Sequence, residues 1–400
     1  MMGISQPDVT YSEQLLSGQN NDITSAVPLF IGYTQKGAAY SLSAVNSMAD
    51  YASLFGGGSE TGSVLYYCVQ HYFDNGGQGA FVLSLGADAI LPLSAEQLIT
   101  AFQDSRIITA LQQEESITLV AIPDMILLPD ADSFNWSRAW LALLSICRAR
   151  NGVFGLFDTP DAADHASACI ADFLASNPEY SEWGAAYWPR LVSDYQRDDL
   201  VPVTVPPSGA IAAVIEMVDQ QSGVWKAPAN VALSQVVKPT QSWLQSSGLF
   251  QNAGTSVNLI RSFPGKGTRI WGCRTLTNDT SSPFLYVQVR RLVAWVEKEV
   301  SAIGHSFIFE TNNALTWIKF RGLVHIRLRE LWLEGALYGE EEQQAFYIQI
   351  GLNETMTEED IRQGKMIMNI GLSVTYPAEF IQICLTFDTQ LSTHAHEGTV

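Results

Sequence analysis

Short apolar runs alternate with segments of helical periodicity through the first half of the chain. The predicted strands cover residues 27–33, 80–85, 116–122 and 153–158. The predicted helices cover residues 63–73, 94–102, 135–150 and 161–175. Nearly continuous apolar strands that alternate with helices are typical of a mainly parallel sheet covered on both faces. We therefore predict an α/β domain over residues 24–205.

A proline-rich passage at residues 200–209 separates this region from the second half of the chain. Its three prolines, Pro202, Pro206 and Pro207, resist both a helix and a central strand, so we expect a hinge there. The pattern that follows predicts an α+β domain over residues 206–388. Its predicted helices are residues 210–221, 287–303, 316–335 and 358–363, and its predicted strands are residues 267–272, 344–351, 364–374 and 379–387.

The chain ends are polar and weakly patterned. Residues 1–23 are predicted to form an N-terminal arm, and residues 389–400 a C-terminal tail. Without further information, a frayed terminus is the simpler interpretation of residues 1–23.

The helix predicted at residues 316–335 combines an apolar stripe with a basic flank. The stripe consists of Trp317, Phe320, Val324, Leu328 and Leu331. Beside the stripe, Arg321, His325 and Arg329 recur every four residues, a spacing that places them on one side of a helix. We expect the stripe to pack on the domain and the flank to face outward.

Positive charge is concentrated in one window of an otherwise acidic chain. The 400 residues include 22 Lys and Arg and 41 Asp and Glu, which gives a formal net charge of −19. Between Arg261 and Arg329 lie eleven of the basic residues and only four acidic ones, so this basic window carries +7 and the remainder −26. Such asymmetry concerns partners rather than fold, and we expect the window to meet an acidic surface. The alternative is a helical face that local salt bridges with Glu297 and Glu299 neutralise.

Composition narrows the class of protein. A hydrophobic fraction of 47% and a charged fraction of 16% indicate an ordered globular chain. The sequence shows neither an apolar run long enough to span a membrane nor the charged and apolar regions of a secretory signal. Five scattered cysteines fit neither a disulfide framework nor a zinc pattern, which favours synthesis in a reducing cytoplasm. The negative net charge argues against nucleic acid or an anionic membrane as the main partner.

Motifs for catalysis or cofactor binding are incomplete throughout the sequence. The glycine-rich run at residues 75–79 precedes a strand instead of following one, and the run at residues 264–269 lacks the ending of a phosphate-binding loop. Ser208 does not lie in a nucleophile elbow. Only His394 and His396, in the tail, are close enough in sequence to suggest a weak metal site. We therefore expect no catalytic, cofactor-binding or metal-binding residues.

Several motifs of the second half resemble the contractile tail sheath proteins of phages, R-type bacteriocins and extracellular contractile injection systems. These motifs are GVWKAPAN at residues 223–230, PGKGTRIWGCRT at residues 264–275, FETNN at residues 309–313 and PAEF at residues 377–380. The resemblance is greatest over residues 206–387. It is looser in the first half, where AVPLFIGYTQKG at residues 26–37 matches.

The resemblance implies a structural subunit without a cofactor. Many copies would assemble as stacked rings or a helix around an inner tube protein, together with baseplate and tail-terminator proteins and paralogous sheath subunits. The sheath would contract and drive the tube through a target cell envelope. The protein would be made in the bacterial cytoplasm and would become part of a virion or a released tail-like particle. The sequence leaves open which of these particles it belongs to, and whether it is the main sheath or a paralogue beside the baseplate.

The resemblance also assigns roles to particular segments. Residues 206–388 would form an inner domain against the tube, with residues 24–205 outside it. Lys319, Arg321, His325 and Arg329 would then contact the tube. Terminal arms would add strands to the sheets of neighbouring subunits. The arm residues are Pro7, Val9, Tyr11, Phe380, Ile381 and Ile383. The alternative from another class is a cytoplasmic α/β enzyme or small-molecule-binding protein.

Overall fold

The computed structural model describes residues 24–58, 62–87, 93–176, 178–197, 201–246, 248–250 and 254–377. The first-half strands are β1 Pro28–Gly32, β2 Leu42–Val45, β3 Ala80–Ser84, β4 Leu119–Ala121, β5 Phe154–Asp158, β6 Gly184–Trp188 and β7 Leu191–Gln196. The later strands are β8 Pro202–Val205, β9 Val236–Pro239, β10 Asn258–Phe263, β11 Gly267–Trp271, β12 Phe346–Gln349 and β13 Asn369–Leu372.

Helices occur along the whole described chain. They are α1 Met48–Phe55, α2 Leu65–Asp74, α3 Ala95–Phe102, α4 Ser105–Gln113, α5 Ser133–Arg148, α6 Ala163–Ala175, α7 Ser208–Ser222, α8 Val287–His305, α9 Ala314–Leu333, α10 Glu342–Ala345 and α11 Glu358–Arg362. Short 3-10 helices lie at Pro123–Leu127, Ser181–Trp183 and Trp243–Gln245. Among the helices of the described residues, none is long and apolar enough to cross a membrane.

The main sheet has eight strands in the order β11-β10-β6-β5-β4-β1-β3-β2. Its six inner strands are parallel to one another, and β2 and β11 close the two edges in antiparallel pairing. The mainly parallel sheet predicted from the apolar runs is therefore confirmed. A smaller antiparallel sheet has the order β8-β7-β9.

Each face of the main sheet has its own hydrophobic core. On one face, α3, α4, α5 and α6 cover the sheet around the fully buried Trp136, Trp140 and Trp188. On the other face, α2 and α7 pack around Phe30 and Tyr72. A capping box starts α3, with Ser94 and Gln97 bonded reciprocally.

A third hydrophobic cluster forms the C-terminal part of the described chain. It joins the far half of α8 to α9 and to the antiparallel pair β12–β13. Val224 also belongs to this cluster, and Trp225 packs against it, so the loop after α7 is shared between the two regions.

Most of the segment predicted as a hinge is part of a strand or a helix. Residues 202–205 form β8, an edge strand with Pro202 as its first residue, which is where a sheet tolerates proline. Immediately afterwards α7 enters the core of the first half, and residues 210–215 are all buried. β10 and β11 then extend the same main sheet. Residues on both sides of position 205 thus share one sheet and one core, and the division into domains at that position stays a prediction.

Two predictions fall partly outside the described residues. The strand predicted at residues 364–374 is observed as β13, which pairs with β12. The segment 379–387 is not among the described residues, and neither are the arm residues Pro7, Val9, Tyr11, Phe380, Ile381 and Ile383.

Candidate assembly surfaces

The helix α9 is held by a polar cap at its start and by a buried stripe along one side. The Asn313 side chain accepts hydrogen bonds from the backbone amides of Leu315 and Thr316, both at 3.1 Å. Such a cap satisfies amides that have no partner within the helix. The predicted stripe is confirmed: Phe320, Val324, Leu328 and Leu331 are buried, and Trp317 packs against the same cluster.

The opposite side of α9 is also apolar, and the sequence analysis missed it. The exposed residues are Leu315 at 62%, Ile318 at 68%, Leu323 at 47%, Ile326 at 57% and Leu333 at 69% of their full area. Phe309, just before the helix, is fully exposed. Because Leu315, Ile318, Ile326 and Leu333 recur at helical spacing, this second apolar side could have been recognised in the sequence. Contiguous exposed apolar surface of this kind marks an interaction site.

The four residues of α9 predicted to contact a tube fall into two pairs. The Nε2 of His325 lies 2.6 Å from Glu342 Oε1, and the Nε of Arg329 lies 3.5 Å from Glu342 Oε2. Glu342, on α10, therefore faces two of the four residues predicted to contact a tube. Lys319 and Arg321 are exposed, and no carboxylate of the described residues lies within 4 Å of either. Of the expected flank, only Arg321 thus has no carboxylate partner among the described residues, and Lys319 is a second such cation on α9.

Much of the remaining basic window is neutralised or buried inside the fold. Arg291 is buried against Asp219, and the Arg290 guanidinium stacks over Trp183 at 3.9 Å. Arg327 bonds Glu299 at 3.1 Å. The alternative of internal neutralisation therefore holds for these arginines. It does not hold for the surface cations Lys319 and Arg321.

The antiparallel pair β12–β13 is a small sheet at the surface of the third cluster. Its register runs from Phe346 opposite Leu372 to Gln349 opposite Asn369. Among the described strands, each of the two pairs only with the other. A two-stranded sheet is marginally stable alone and leaves backbone donors and acceptors at its edges.

One buried cluster has the residue types of a nucleophilic site but no access from solvent. Ser208 Oγ donates to Asp158 Oδ2 at 2.7 Å, and Cys68 Sγ lies 3.7 Å from Ser208 Oγ. All three residues are at most 1% exposed. Burial raises the pKa of Asp158 to about 7, although hydrogen bonds from Ser208 act in the opposite direction. The cluster joins β5, α2 and α7, which is a structural role.

Comparison with known proteins gives consistent matches. A model of the phage tail sheath C-terminal domain matches residues 279–387, which include α8, α9, β12 and β13. The tail sheath protein of Vibrio phage KVP40 is 26% identical over 136 residues, 34% of this chain and 20% of that protein. The chain thus spans about a fifth of the length of this curated relative.

Solved structures match over almost the whole chain. A chain from the anti-feeding prophage (AFP) baseplate in the contracted state is 40% identical, with a TM-score of 0.84, over 97% of this chain and 100% of that one. A chain from the AFP helical sheath in the contracted state is 28% identical, with a TM-score of 0.72, over 96% of this chain and 100% of that one. Since the identity, the fold and the C-terminal domain model agree, the chain belongs to the contractile tail sheath family.

Proposed function

We propose that this sheath subunit polymerises around an inner tube and contracts to drive the tube through a target cell envelope. The observation that carries the proposal is α9, which is apolar on its outer side as well as on its buried side. A monomer would expose this surface to water, whereas an assembly with many repeated contacts would cover it. The assembled sheath would be part of a released phage tail-like particle.

We infer that α9 faces the tube. Ile318 and Ile326 would supply apolar contact, and Lys319 and Arg321 would supply positive charge for an acidic tube surface. Each exposed ion pair contributes roughly 0–1 kcal/mol and is screened over about 8 Å at physiological salt. Weak individual contacts would allow the sheath to slide from its tube. Repetition of the contact around the tube would keep the subunits aligned with it.

The experiment measures assembly on the tube by variants of Lys319 and Arg321. We expect Lys319→Glu/Arg321→Glu to fold normally and to form few extended sheaths when co-expressed with the tube protein, as counted by negative-stain microscopy. The matched control is Lys36→Glu/Lys238→Glu, a double reversal at two exposed lysines outside α9 that, like Lys319 and Arg321, have no carboxylate within 4 Å among the described residues. Wild-type numbers of tube-filled sheaths from the double variant would refute the assignment of α9.

The residues facing Glu342 provide a second comparison on the same helix. Arg329→Glu would place a carboxylate beside Glu342, so we expect it to weaken the contact between α9 and α10. Arg321→Glu has no such neighbour among the described residues, and its effect should be confined to assembly. Equal losses of folded-state stability in both variants would contradict this distinction.

The edges of β12–β13 are proposed as acceptors for terminal arms of neighbouring subunits. An added strand would satisfy the backbone groups along an edge and would bury the exposed side of Tyr347, which is 58% exposed. The same contact, repeated from one subunit to the next, would link all the subunits of the sheath.

A narrower proposal concerns position in the particle. The relative from the AFP baseplate structure shares 40% of its residues with this chain, whereas the relative from the AFP helical sheath shares 28%. We infer a place next to the baseplate for this subunit. Labelling it with a C-terminal tag and locating the tag by electron microscopy tests the idea, because label along the whole sheath would contradict it.

A further inference from the structure

A second surface of the chain carries unneutralised positive charge, on the hairpin β10–β11 at one edge of the main sheet. Ile260 and Ile270 are opposite each other and fully buried on one side of this hairpin. On the other side, Arg261 lies opposite Arg269, and Leu259 lies opposite Trp271. Trp271 is 42% exposed. This outer side of the hairpin therefore combines aromatic and basic groups at the surface.

Arg261 is stacked between aromatic rings. Its guanidinium carbon lies 4.3 Å from the centroid of Trp243 and 4.5 Å from that of Phe263. Its Nε is buried and has no hydrogen-bond partner among the described residues. Trp243, in a 3-10 helix beside the hairpin, is 44% exposed. Rings that hold a guanidinium in this way remove water from its faces, so that an incoming carboxylate would interact with it more strongly than with a solvated arginine.

Two further cations lie beside this stack. Lys266 is exposed in the turn of the hairpin, and Arg269 donates to the backbone oxygens of Lys266 and Asn230. In the described part of the chain, no carboxylate lies within 4 Å of Arg261, Lys266 or Arg269. The five residues Trp243, Arg261, Lys266, Arg269 and Trp271 form what we call the Trp–Arg patch.

We propose that the Trp–Arg patch is a contact site for an acidic surface on a second copy of this chain. Charge complementarity is the argument: the chain carries −19 overall, so the surface of another copy is predominantly acidic, whereas this patch has three cations without acidic partners. Tryptophan and arginine are also the residues that most often dominate the energy of protein interfaces.

The contact would be heterologous, because a basic aromatic patch cannot complement itself. Repeated heterologous contacts that do not close into a ring produce an open helical array. The patch also lies on the main sheet, whereas α9 lies in the third cluster, so the two surfaces can be tested separately. This inference rests on the proposed function, because it names one subunit-to-subunit contact of the sheath.

The test is site-specific photo-crosslinking in assembled sheaths of the full chain. Trp243 is replaced by p-benzoylphenylalanine, and Phe134, an exposed aromatic residue of α5, is replaced in the same way as a control. After irradiation we expect a covalent dimer from the Trp243 position, with the crosslinked peptide rich in Asp and Glu. A crosslink to the tube protein only, or none in assembled sheaths, would overturn the inference. If the unmodified chain formed no sheath at all, the proposed function itself would fail.

A charge variant provides an independent measurement. Lys266→Glu should raise the protein concentration needed for sheath assembly about tenfold, the equivalent of about 1.4 kcal/mol. Lys266→Arg should assemble as the wild type does, because the charge is retained. Position 266 lies in an exposed turn, so neither substitution should change the melting temperature. Unaltered assembly by Lys266→Glu would argue against the patch.

Discussion

Arg291 and Asp219 form a buried bidentate ion pair that joins α8 to α7. Nη1 lies 3.0 Å from Oδ1 and Nη2 2.5 Å from Oδ2, and the two side chains are only 5% and 3% exposed. Ser25 takes part as well, because its hydroxyl donates to Asp219 at 2.5 Å and its carbonyl accepts from Arg291 at 3.1 Å. The start of the described chain, the core of the main sheet and the helix that carries the third cluster therefore meet at one polar contact.

The first prediction is that Asp219→Ala strongly destabilises the subunit. The substitution leaves the Arg291 guanidinium buried without its counter-charge, a change that typically costs about 3–5 kcal/mol. Chemical denaturation monitored by circular dichroism measures the loss. Glu334→Ala, at the exposed residue that follows α9, should change the free energy of unfolding by less than about 0.5 kcal/mol.

A double variant separates the ion pair from simple loss of packing. Arg291→Met/Asp219→Leu removes both charges and retains apolar volume, so it should recover much of the stability lost in Asp219→Ala. If the double variant is no more stable than Asp219→Ala, the unpaired charge is not the cause of the loss.

The second prediction concerns pH. Burial raises the pKa of Asp158 from 3.8 to about 7 and that of Asp124 from 3.8 to about 6. Each carboxyl therefore binds its proton more tightly in the folded chain than in the unfolded one. Its contribution to stability is complete below the unfolded pKa and is lost as pH rises through the folded pKa.

Asp158→Asn tests this assignment. The wild type should lose on the order of a few kcal/mol from Asp158 and Asp124 between about pH 4 and pH 7, and Asp158→Asn should lose less because one titration is gone. The measurement is the difference in free energy of unfolding between variant and wild type, at several pH values across this range. A difference that stays constant with pH would contradict the assignment to Asp158.

The main sheet shows how far the sequence predicts this fold and where it stops. β1, β3, β4 and β5 are apolar runs and were predicted. The central strand β6, Gly184–Trp188, was missed because it is rich in glycine and alanine, which have low strand propensity. A Cβ added at Gly184 would lie 2.2 Å from Phe157 Cε2. The Phe157 ring on the neighbouring strand leaves no room for a side chain at position 184. This contact cannot be predicted from the local sequence pattern.

The ion pairs also show what the sequence alone cannot predict. The sequence correctly predicted which side of α9 is buried, since that depends on helical spacing alone. It did not reveal that Glu342 faces His325 and Arg329, or that Asp219 neutralises Arg291 from 72 positions away. Partners so distant along the chain depend on the tertiary fold. On α9, Lys319 and Arg321 could be distinguished from His325, Arg327 and Arg329 only once the carboxylates facing the latter three were known.

The third prediction compares two apolar residues of α9. Leu328 is fully buried in the third cluster, whereas Ile326 is 57% exposed on the outer side. Leu328→Ala should cost about 2–5 kcal/mol of folding free energy through the cavity it leaves. Ile326→Ser should leave the melting temperature nearly unchanged but should reduce the number of sheaths formed on the tube. An Ile326→Ser variant that assembles normally would show that the outer side of α9 is not a contact.

The last prediction concerns the N-terminal arm. We expect a chain without residues 1–20 to fold with the melting temperature of the full chain, because the described residues already supply a hydrophobic core on each face of the main sheet. The same chain should fail to polymerise, since the edges of β12–β13 would receive no strand from a neighbour. Thermal unfolding and negative-stain microscopy of the same preparation measure the two properties. Removing residues 389–400, predicted as tail, is the matched deletion and should leave assembly intact. Normal sheaths from the chain without residues 1–20 would show that the arm is not needed to join subunits.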